Sequence, residues 1–238
     1  IYSDYIYSGI LPLAIALEHI GFQKYNGENI LEVPKKTKIN KIGHDLKPLN
    51  KNNKQAKYII LTGDKSLSPN NEKERKDSLN INNMNGENIK IILGNSVTSE
   101  GMDFKNIREI HVLDPWYHLY KIEQIIGRGI RFCSHINLPE KERNVTVFLH
   151  TAGESNDKES IDTNTYRIAE QKASQIGEIE TILKNKAVDC YLNEEINYIS
   201  NMNKFNYISS RSSITQSIDV NDQEYSKICS FTNKCNIE

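Results

Sequence analysis

Residues 96–131 constrain the fold more than any other part of the chain, because two spaced signatures flank one apparent strand. The first reads Ser96-Val-Thr-Ser-Glu-Gly-Met-Asp103 and the second Gln124-Ile-Ile-Gly-Arg-Gly-Ile-Arg131. Between them, Glu109-Ile-His-Val-Leu-Asp114 reads as a buried strand ending at Pro115-Trp116. A glycine-bearing loop, a strand and then a basic helix suit an open α/β sheet that senses a phosphate group.

The second signature is predicted to be helical over 119–131. Each helical residue advances about 100°, so Gln124, Arg128 and Arg131, at i, i+4 and i+7, fall within roughly 60° of one another. Ile122, Ile125, Ile126 and Ile130 take the opposite side and are expected to face the sheet. Gly127 and Gly129 each cost about 1 kcal/mol of helix propensity relative to alanine, which suggests a close approach of backbone or ligand at that turn. Arginine suits phosphate because its planar fork donates several hydrogen bonds and stays charged. An isolated i, i+4 arginine pair is more often a solvated face paired with acids such as Glu123. The Gln-x-x-Gly-Arg-x-x-Arg spacing after a strand shifts the balance towards phosphate.

The first signature follows Ile89-Lys-Ile-Ile-Leu93, a short apolar run expected to be a strand. Gly94, Ser96, Thr98, Ser99 and Gly101 crowd its carboxyl end, where open α/β sheets bind ligands. Serine and threonine hydroxyls with exposed backbone N–H groups suit the phosphates of a nucleic-acid backbone. Asp103 is placed to accept from a ribose hydroxyl or to fix the loop. Taken alone, the loop is an ordinary strand-to-helix turn rich in capping residues.

The remaining punctuation gives an order of elements. Gly9–Gly21 is an apolar helix closed by glycine, and Tyr58–Leu61 is a strand. Residues 24–57 carry nine lysines against three acids and read as a polar insertion, a solvated loop. Residues 72–81 form a charged helix with Leu79 and Ile81 available for burial, and 144–150 a further strand. The order β-α-β-α-β-loop-β-α-β predicts an α/β fold, a mostly parallel sheet with helices on both faces. The lobe is expected over 1–152, a polar break over 153–163 and a helical extension over 164–200. Ile168, Ile176, Ile179, Ile182 and Leu183 are the extension's core candidates. From about 201 to 238 polar residues dominate and the tail is expected to be loosely ordered.

With 30 basic and 31 acidic residues, no global field announces nucleic acid. The mean hydropathy of −0.59 and the lack of a long apolar run argue against a membrane span. Cys133, Cys190, Cys229 and Cys235 are scattered without C-x-x-C pairs, which favours reduced thiols in an intracellular, reducing compartment over disulfides or zinc. No metal site is expected in this chain.

The two signatures resemble motifs V and VI of superfamily 2 helicases and translocases, in their second RecA-like lobe. The opening, Ile1-Tyr-Ser3 followed by the Gly9–Gly21 helix, resembles motif IV, and the chain reads as a fragment of a longer protein. No G-x-x-x-x-G-K-[ST] loop is present; Thr62-Gly-Asp-Lys-Ser66 lacks the required glycines. Asp114-Pro-Trp-Tyr117, the form of motif VI, and the Tyr166-Arg…Ala187-Val-Asp-Cys190 segment resemble transcription-associated helicases of large cytoplasmic DNA viruses. These include poxvirus-type early transcription factor small subunits and nucleoside triphosphatase I-like proteins. Glu100 stands where motif V frequently has arginine, which resembles the Snf2-like branch that translocates on duplex DNA.

That resemblance implies an ATP-dependent helicase or translocase when full length, with this fragment inactive alone. ATP and Mg2+ would be bound mainly by an amino-terminal RecA-like lobe that this chain lacks. Arg128 and Arg131 would face the nucleotide, Arg131 as the arginine finger, and Gln124 would couple it to motif V. Gly101 and Asp103 would line the nucleotide side. Ser96, Thr98 and Ser99 would touch phosphates of DNA or RNA, with a backbone contact from Thr62 and Gly63. Trp116 is expected to pack beneath motif VI. Implied partners are the chain's own amino-terminal lobe and RNA polymerase or transcription factor subunits, with no membrane. If viral, it would act in the host cytoplasm or the virion. Two other readings stay open: a catalytically silent RecA-like scaffold that recruits transcription machinery, and an unrelated doubly wound enzyme binding a small phosphorylated ligand.

Overall fold

A computed structural model describes residues 1–31, 56–99, 102–153, 159–187, 205–208, 215–218 and 230–231. Gly101, Glu100, most of the expected insertion, and Cys190, Cys229 and Cys235 lie outside these residues. The chain divides into two compact units. The first comprises Ile1–Asp114 with Gln124–His150, the second Pro115–Glu123 with Thr151–Glu238.

In the first unit, strands β1 (Gln23–Lys24), β2 (Lys57–Leu61) and β3 (Ile91–Gly94) pair in parallel in that order. Strands β4 (Glu109–Val112) and β5 (Thr146–Leu149) form a second parallel pair. Tyr2 joins the two sets, bridging in parallel to Gly94 on one side and to Val112 on the other. The expected mostly parallel α/β sheet is therefore present. The two central strands follow from sequence: β2 and β3 are short apolar runs, as required when both faces are covered.

Strand β2 shows that covering residue by residue. Tyr58 and Ile60 join a cluster with Ile10, Ala14 and Leu17 of the amino-terminal helical segment, in which helix α1 spans Leu11–His19. Ile59 and Leu61 face the other way, against Ile89 and Phe104. Each of Ile59, Ile60 and Leu61 is fully buried, contributing about 1.5–3 kcal/mol of transfer free energy. Gly21 closes the helix at φ +106°, a conformation that a side chain would strain.

The structure corrects the edges of the expected insertion. Lys24 belongs to β1 and Lys57 to β2, tied by Gln23 N donating to Ala56 O at 3.0 Å. The segment thus leaves from one sheet strand and returns to its neighbour. Glu18 of α1 anchors the departure: it is buried and accepts from Ile30 N at 2.8 Å, Leu31 N at 2.7 Å and the Tyr58 hydroxyl at 2.6 Å. Burial and the Glu18 carboxylate together push the Tyr58 hydroxyl well above the usual tyrosine range.

Helix α2 (Asn71–Ser78) is shorter than expected, and Ile81 is exposed rather than buried. Polar side chains shape the turn beyond its end. The Asn80 side chain accepts from Asn82 N, and the buried Asn83 amide bonds Ser78 O, Ile89 O and Ile89 N. The Ser78 carbonyl is a backbone group that a longer helix would have used internally.

Helix α3 spans Ser96–Ser99 and helix α4 Leu119–Gly129. Ile122 and Ile125 of α4 are buried and Ile126 packs against Ile110 and Val112, but Ile130 is half exposed, against expectation. The reason is that α4 ends at Gly129, one residue before it.

In the second unit, helix α5 runs Ile161–Lys186, its start fixed by Ser160 Oγ accepting from Thr163 N at 3.2 Å. Its expected core is corrected. Ile176, Ile179, Ile182 and Leu183 are all more than half exposed, whereas Thr165, Tyr166 and Ala169 are buried. The helix turns small residues inward: Gly177 lies so close to Ser230 that no Cβ would fit there. A cleft of about 410 Å³ lies beside this face, lined by Trp116, Ala169, Lys172, Ala173 and Phe231 among others. The Lys121 ammonium sits 3.6 Å from the Trp116 ring centroid, so Trp116 is a partly exposed cation–π partner in this unit. In the polar segment expected to be loosely ordered, β6 (Phe205–Ile208) and β7 (Thr215–Ile218) pair antiparallel.

Candidate functional site

At the carboxyl ends of the parallel strands, short polar loops replace the apolar runs. After β2 the chain turns through Thr62–Ser68. Thr62 is buried, with its Oγ1 2.9 Å from Ser68 Oγ and its carbonyl accepting from Asn71 Nδ2 at 2.7 Å. Asp64 locks the outer part: its carboxylate accepts from Ser66 N at 2.8 Å, Ser66 Oγ at 2.6 Å and the Tyr7 hydroxyl at 2.6 Å. The Ser66 and Tyr7 hydrogen bonds hold the Asp64 carboxyl at about 2, below its ordinary 3.8. Because the folded value is depressed, the stabilisation is complete above 3.8 and is lost as pH falls through about 2. A carboxyl-carbon NMR titration is expected to show Asp64 still ionised at about pH 3, between the two values; a midpoint at the ordinary value would dissolve this clamp.

The first signature starts beside that loop. A side chain on Gly63 would stand 3.5 Å from Val97 Cγ2, so Gly63 and α3 are neighbours. Ser96 is exposed, whereas Thr98 is buried and donates its hydroxyl to Asn95 O at 2.7 Å. Thr98 packs over Gly94, where any Cβ would collide with it. The candidate phosphate contact at Thr98 therefore changes character, while the backbone contact expected at Thr62 does not involve its hydroxyl. The hydroxyls of Thr62 and Thr98 are committed inside the protein, and Ser96 and Gly63 carry the exposed polar surface. The Ser99 side chain and Gly101 lie outside the described residues.

The strand ends themselves are clamped by a group that sequence reasoning missed. Asp114, just past β4, accepts from Ser3 Oγ at 2.6 Å and Asp4 N at 2.8 Å. Its sequence neighbours gave no sign of this, because the partners lie more than a hundred residues away.

Asp103, Arg128 and Arg131 are brought together. Arg131 Nη1 lies 2.8 Å from Asp103 Oδ1 and 2.9 Å from Oδ2, and Arg128 Nη1 lies 3.9 Å from Oδ1. Arg128 is in the last turn of α4, but Arg131 is not on the helix as expected; it lies in the turn beyond. Three contacts put it there. Phe104 N donates to Arg128 O at 3.2 Å, and Asn106 N donates to Ser134 O at 3.0 Å. His135 Nε2 is 2.6 Å from Ile107 O, with His135 Nδ1 2.8 Å from Ser134 Oγ. Ser134 and His135, both buried, thus staple the turn after the second signature to the segment after the first. Nothing local in the sequence announced them.

The two signature glycines differ. A Cβ on Gly129 would stand 2.9 Å from Ile110 Cδ1 and 3.3 Å from Ile107 Cγ2, so glycine there permits close packing on β4. A Cβ on Gly127 would meet nothing within 4 Å. Gln124 sits one turn before Arg128 on α4, half-buried. Side-chain exposure is 45% for Arg131 and 22% for Arg128, so both guanidinium groups can reach an outside anion. Among the described residues no group of three His, Cys, Asp or Glu side chains could hold a metal ion. The donor set fits phosphate oxygens, not a cation.

Comparison with known proteins places the chain in a family. The model of the helicase conserved C-terminal domain matches residues 13–133, just over half of the chain. A putative ATP-dependent RNA helicase of Acanthamoeba polyphaga mimivirus is 35% identical over 60% of this chain and 13% of its own length. A putative helicase of invertebrate iridescent virus 3 is 30% identical over 84% of this chain and 19% of its own length. A termination factor NPH-I homolog of African swine fever virus is 28% identical over 82% of this chain and 31% of its own length. The chain therefore spans less than a third of the length of each of these relatives.

Proposed function

Since the chain belongs to the helicase conserved C-terminal domain family, we propose that it forms the second RecA-like lobe of an ATP-dependent nucleic-acid helicase or translocase. The observation that carries this reading is the convergence of Arg128 and Arg131 on one carboxylate at the end of α4. Paired guanidinium groups held at one point can receive the oxygens of a transferring phosphoryl group and stabilise the charge that develops on them. Arg131, the more exposed and the closer to Asp103, is the finger; Arg128 supports it. Gln124, one turn earlier, would relay the nucleotide's presence towards the first signature, with Gly101 and Asp103 on the same side.

ATP supplies the phosphoryl group and its energy. Mg2+ would travel with ATP and be held mainly by an amino-terminal RecA-like lobe. Ser96, Gly63 and the backbone around Thr62, Thr98 and Ser99 would follow the phosphates of DNA or RNA, a contact that needs no base recognition. The lobe would occupy residues 1–152, with 153–163 linking it to the helical extension 164–200 and the polar segment 201–238. The name of the African swine fever virus relative, a termination factor homolog, supports a role in viral transcription, in the host cytoplasm or the virion.

A second reading has one observation in its favour: Ile176, Ile179, Ile182 and Leu183 leave an apolar stripe exposed on α5. A silent lobe recruiting polymerase or transcription factor subunits would use such a stripe. ATP turnover by the full-length protein, measured with and without single- and double-stranded DNA and RNA, separates the two. The translocase reading expects stimulation by nucleic acid; absence of turnover under all conditions leaves the scaffold.

A further inference from the structure

The Asp103–Arg131 contact has an unusual form for an arginine and a carboxylate. Both carboxylate oxygens lie near the same nitrogen, Nη1, at 2.8 and 2.9 Å. The fork-to-fork arrangement, which pairs two nitrogens with two oxygens and is the stronger geometry, is not used. Among the described residues, Nε and Nη2 of Arg131 have no acceptor, and the side chain is 45% exposed. The Asp103 side chain is 56% exposed, and Arg128 approaches the same carboxylate at 3.9 Å. One anion thus holds Arg131 in a geometry from which it can depart, with Arg128 at the edge of the same carboxylate.

We propose that Asp103 is a stand-in anion for the nucleotide. It holds Arg131, with Arg128 nearby, until a phosphate of ATP docks on the open edge of the guanidinium and displaces the carboxylate. This rests on the reading of Arg131 as the phosphate-facing finger and adds a competitor to that site. No covalent bond is made or broken. One ion pair exchanges for another, and Asp103 returns to Arg131 when the nucleotide leaves.

An exchange of this kind has a definite signature. The carboxylate pairs with the arginines only before nucleotide binds, so it weakens binding of ground state and transition state alike and leaves the chemical step alone. Deleting its charge should therefore tighten nucleotide binding. The pair is solvent-exposed and single-pronged, so the effect is small, about two- to fivefold. A merely structural role predicts the opposite pattern, a lower kcat with KM unchanged or raised.

The test uses the full-length protein, with ATP turnover measured against ATP concentration and equilibrium affinity measured with a non-hydrolysable ATP analogue. Asp103→Asn is expected to lower KM and the analogue's Kd about two- to fivefold. Asp103→Ser, which also removes the charge, is expected to match it and serves if the asparagine variant does not fold. Asp103→Glu keeps the charge and is expected to keep the wild-type KM. An unchanged or raised KM in the asparagine and serine variants overturns the proposal; a raised KM accompanied by equal loss with 3′-deoxy-ATP marks Asp103 as a ribose contact instead. An equal tightening in Asp103→Glu also overturns it, because the charge would then be irrelevant. Failure of the underlying reading looks different: Arg131→Ala would turn over ATP normally.

Discussion

Arg131→Ala in the full-length protein is expected to lower ATP turnover by about three to five powers of ten while leaving nucleic-acid affinity nearly intact. The magnitude follows from what an arginine does at a transferring phosphoryl group. It is worth most when charge spreads over the equatorial oxygens, and a methyl group replaces none of that stabilisation. The separation of effects follows from geometry. Arg131 lies beyond the end of α4 and pairs with Asp103, whereas the exposed loop residues proposed for nucleic acid, Gly63 and Ser96, follow β2 and β3. The fold should survive the change. The side chain is 45% exposed, and an exposed ion pair contributes at most about 1 kcal/mol. Arg131→Lys is expected to recover little, because an ammonium is a point charge and cannot donate in a planar fork. Steady-state ATPase rates set beside nucleic-acid binding curves decide the matter; normal turnover in the alanine variant removes the finger assignment.

The largest expected loss of stability comes from Glu18→Ala. Glu18 is 3% exposed, yet its carboxylate accepts three hydrogen bonds, from the Tyr58 hydroxyl and from the backbone of Ile30 and Leu31. Alanine leaves a fully buried hydroxyl and two part-buried N–H groups without that acceptor, in a space that water enters poorly. Each orphaned group costs about 1–3 kcal/mol, so a loss of roughly 3 kcal/mol is expected after partial relaxation. Glu18→Gln should lose less, since its amide oxygen can still accept from two of the three donors. Tyr58→Phe, which removes one donor and leaves the carboxylate its two backbone partners, should cost least. Urea unfolding midpoints rank the three variants; an alanine midpoint equal to wild type would show that the clasp contributes nothing.

Local periodicity carried much of the fold. The runs at 58–61 and 89–93 are mostly apolar and 109–112 alternates, and the sheet places all three as parallel strands or their lead-in. The glycine-closed helix after Gly9 formed where its composition put it, although shorter and preceded by a helical turn at Ile6–Ile10. What local pattern missed was tertiary. The spacing of Gln124, Arg128 and Arg131 predicts one helical stripe, but the helix stops at Gly129 because the turn beyond it is held by Ser134, His135 and the distant Ile107 carbonyl. The stripe idea brought the arginines together for a reason the fold does not use. Similarly, helical periodicity in α5 marked its large aliphatic residues as the core, whereas Ala169 and Gly177 are the ones packed inward. Small residues permit close approach, and hydropathy alone gives them little weight. The hydroxyl of Thr98 was read as available because composition cannot say which way a side chain turns.

The seam at Tyr2 bears on how such a lobe comes into being on the ribosome. The extended segment at Tyr2 is wedged between segments that include Gly94 and Val112, so its neighbours are synthesised about ninety to a hundred and ten residues after it. Until they emerge, the Tyr2 ring and the backbone beside it have nowhere to dock, and distant pairing of this kind is slow because a long loop must close first. Cotranslational assembly should therefore be all-or-none at about the moment Val112 clears the exit tunnel. A nascent chain halted short of that point should remain protease-sensitive across the segment from Tyr2 to Gly94.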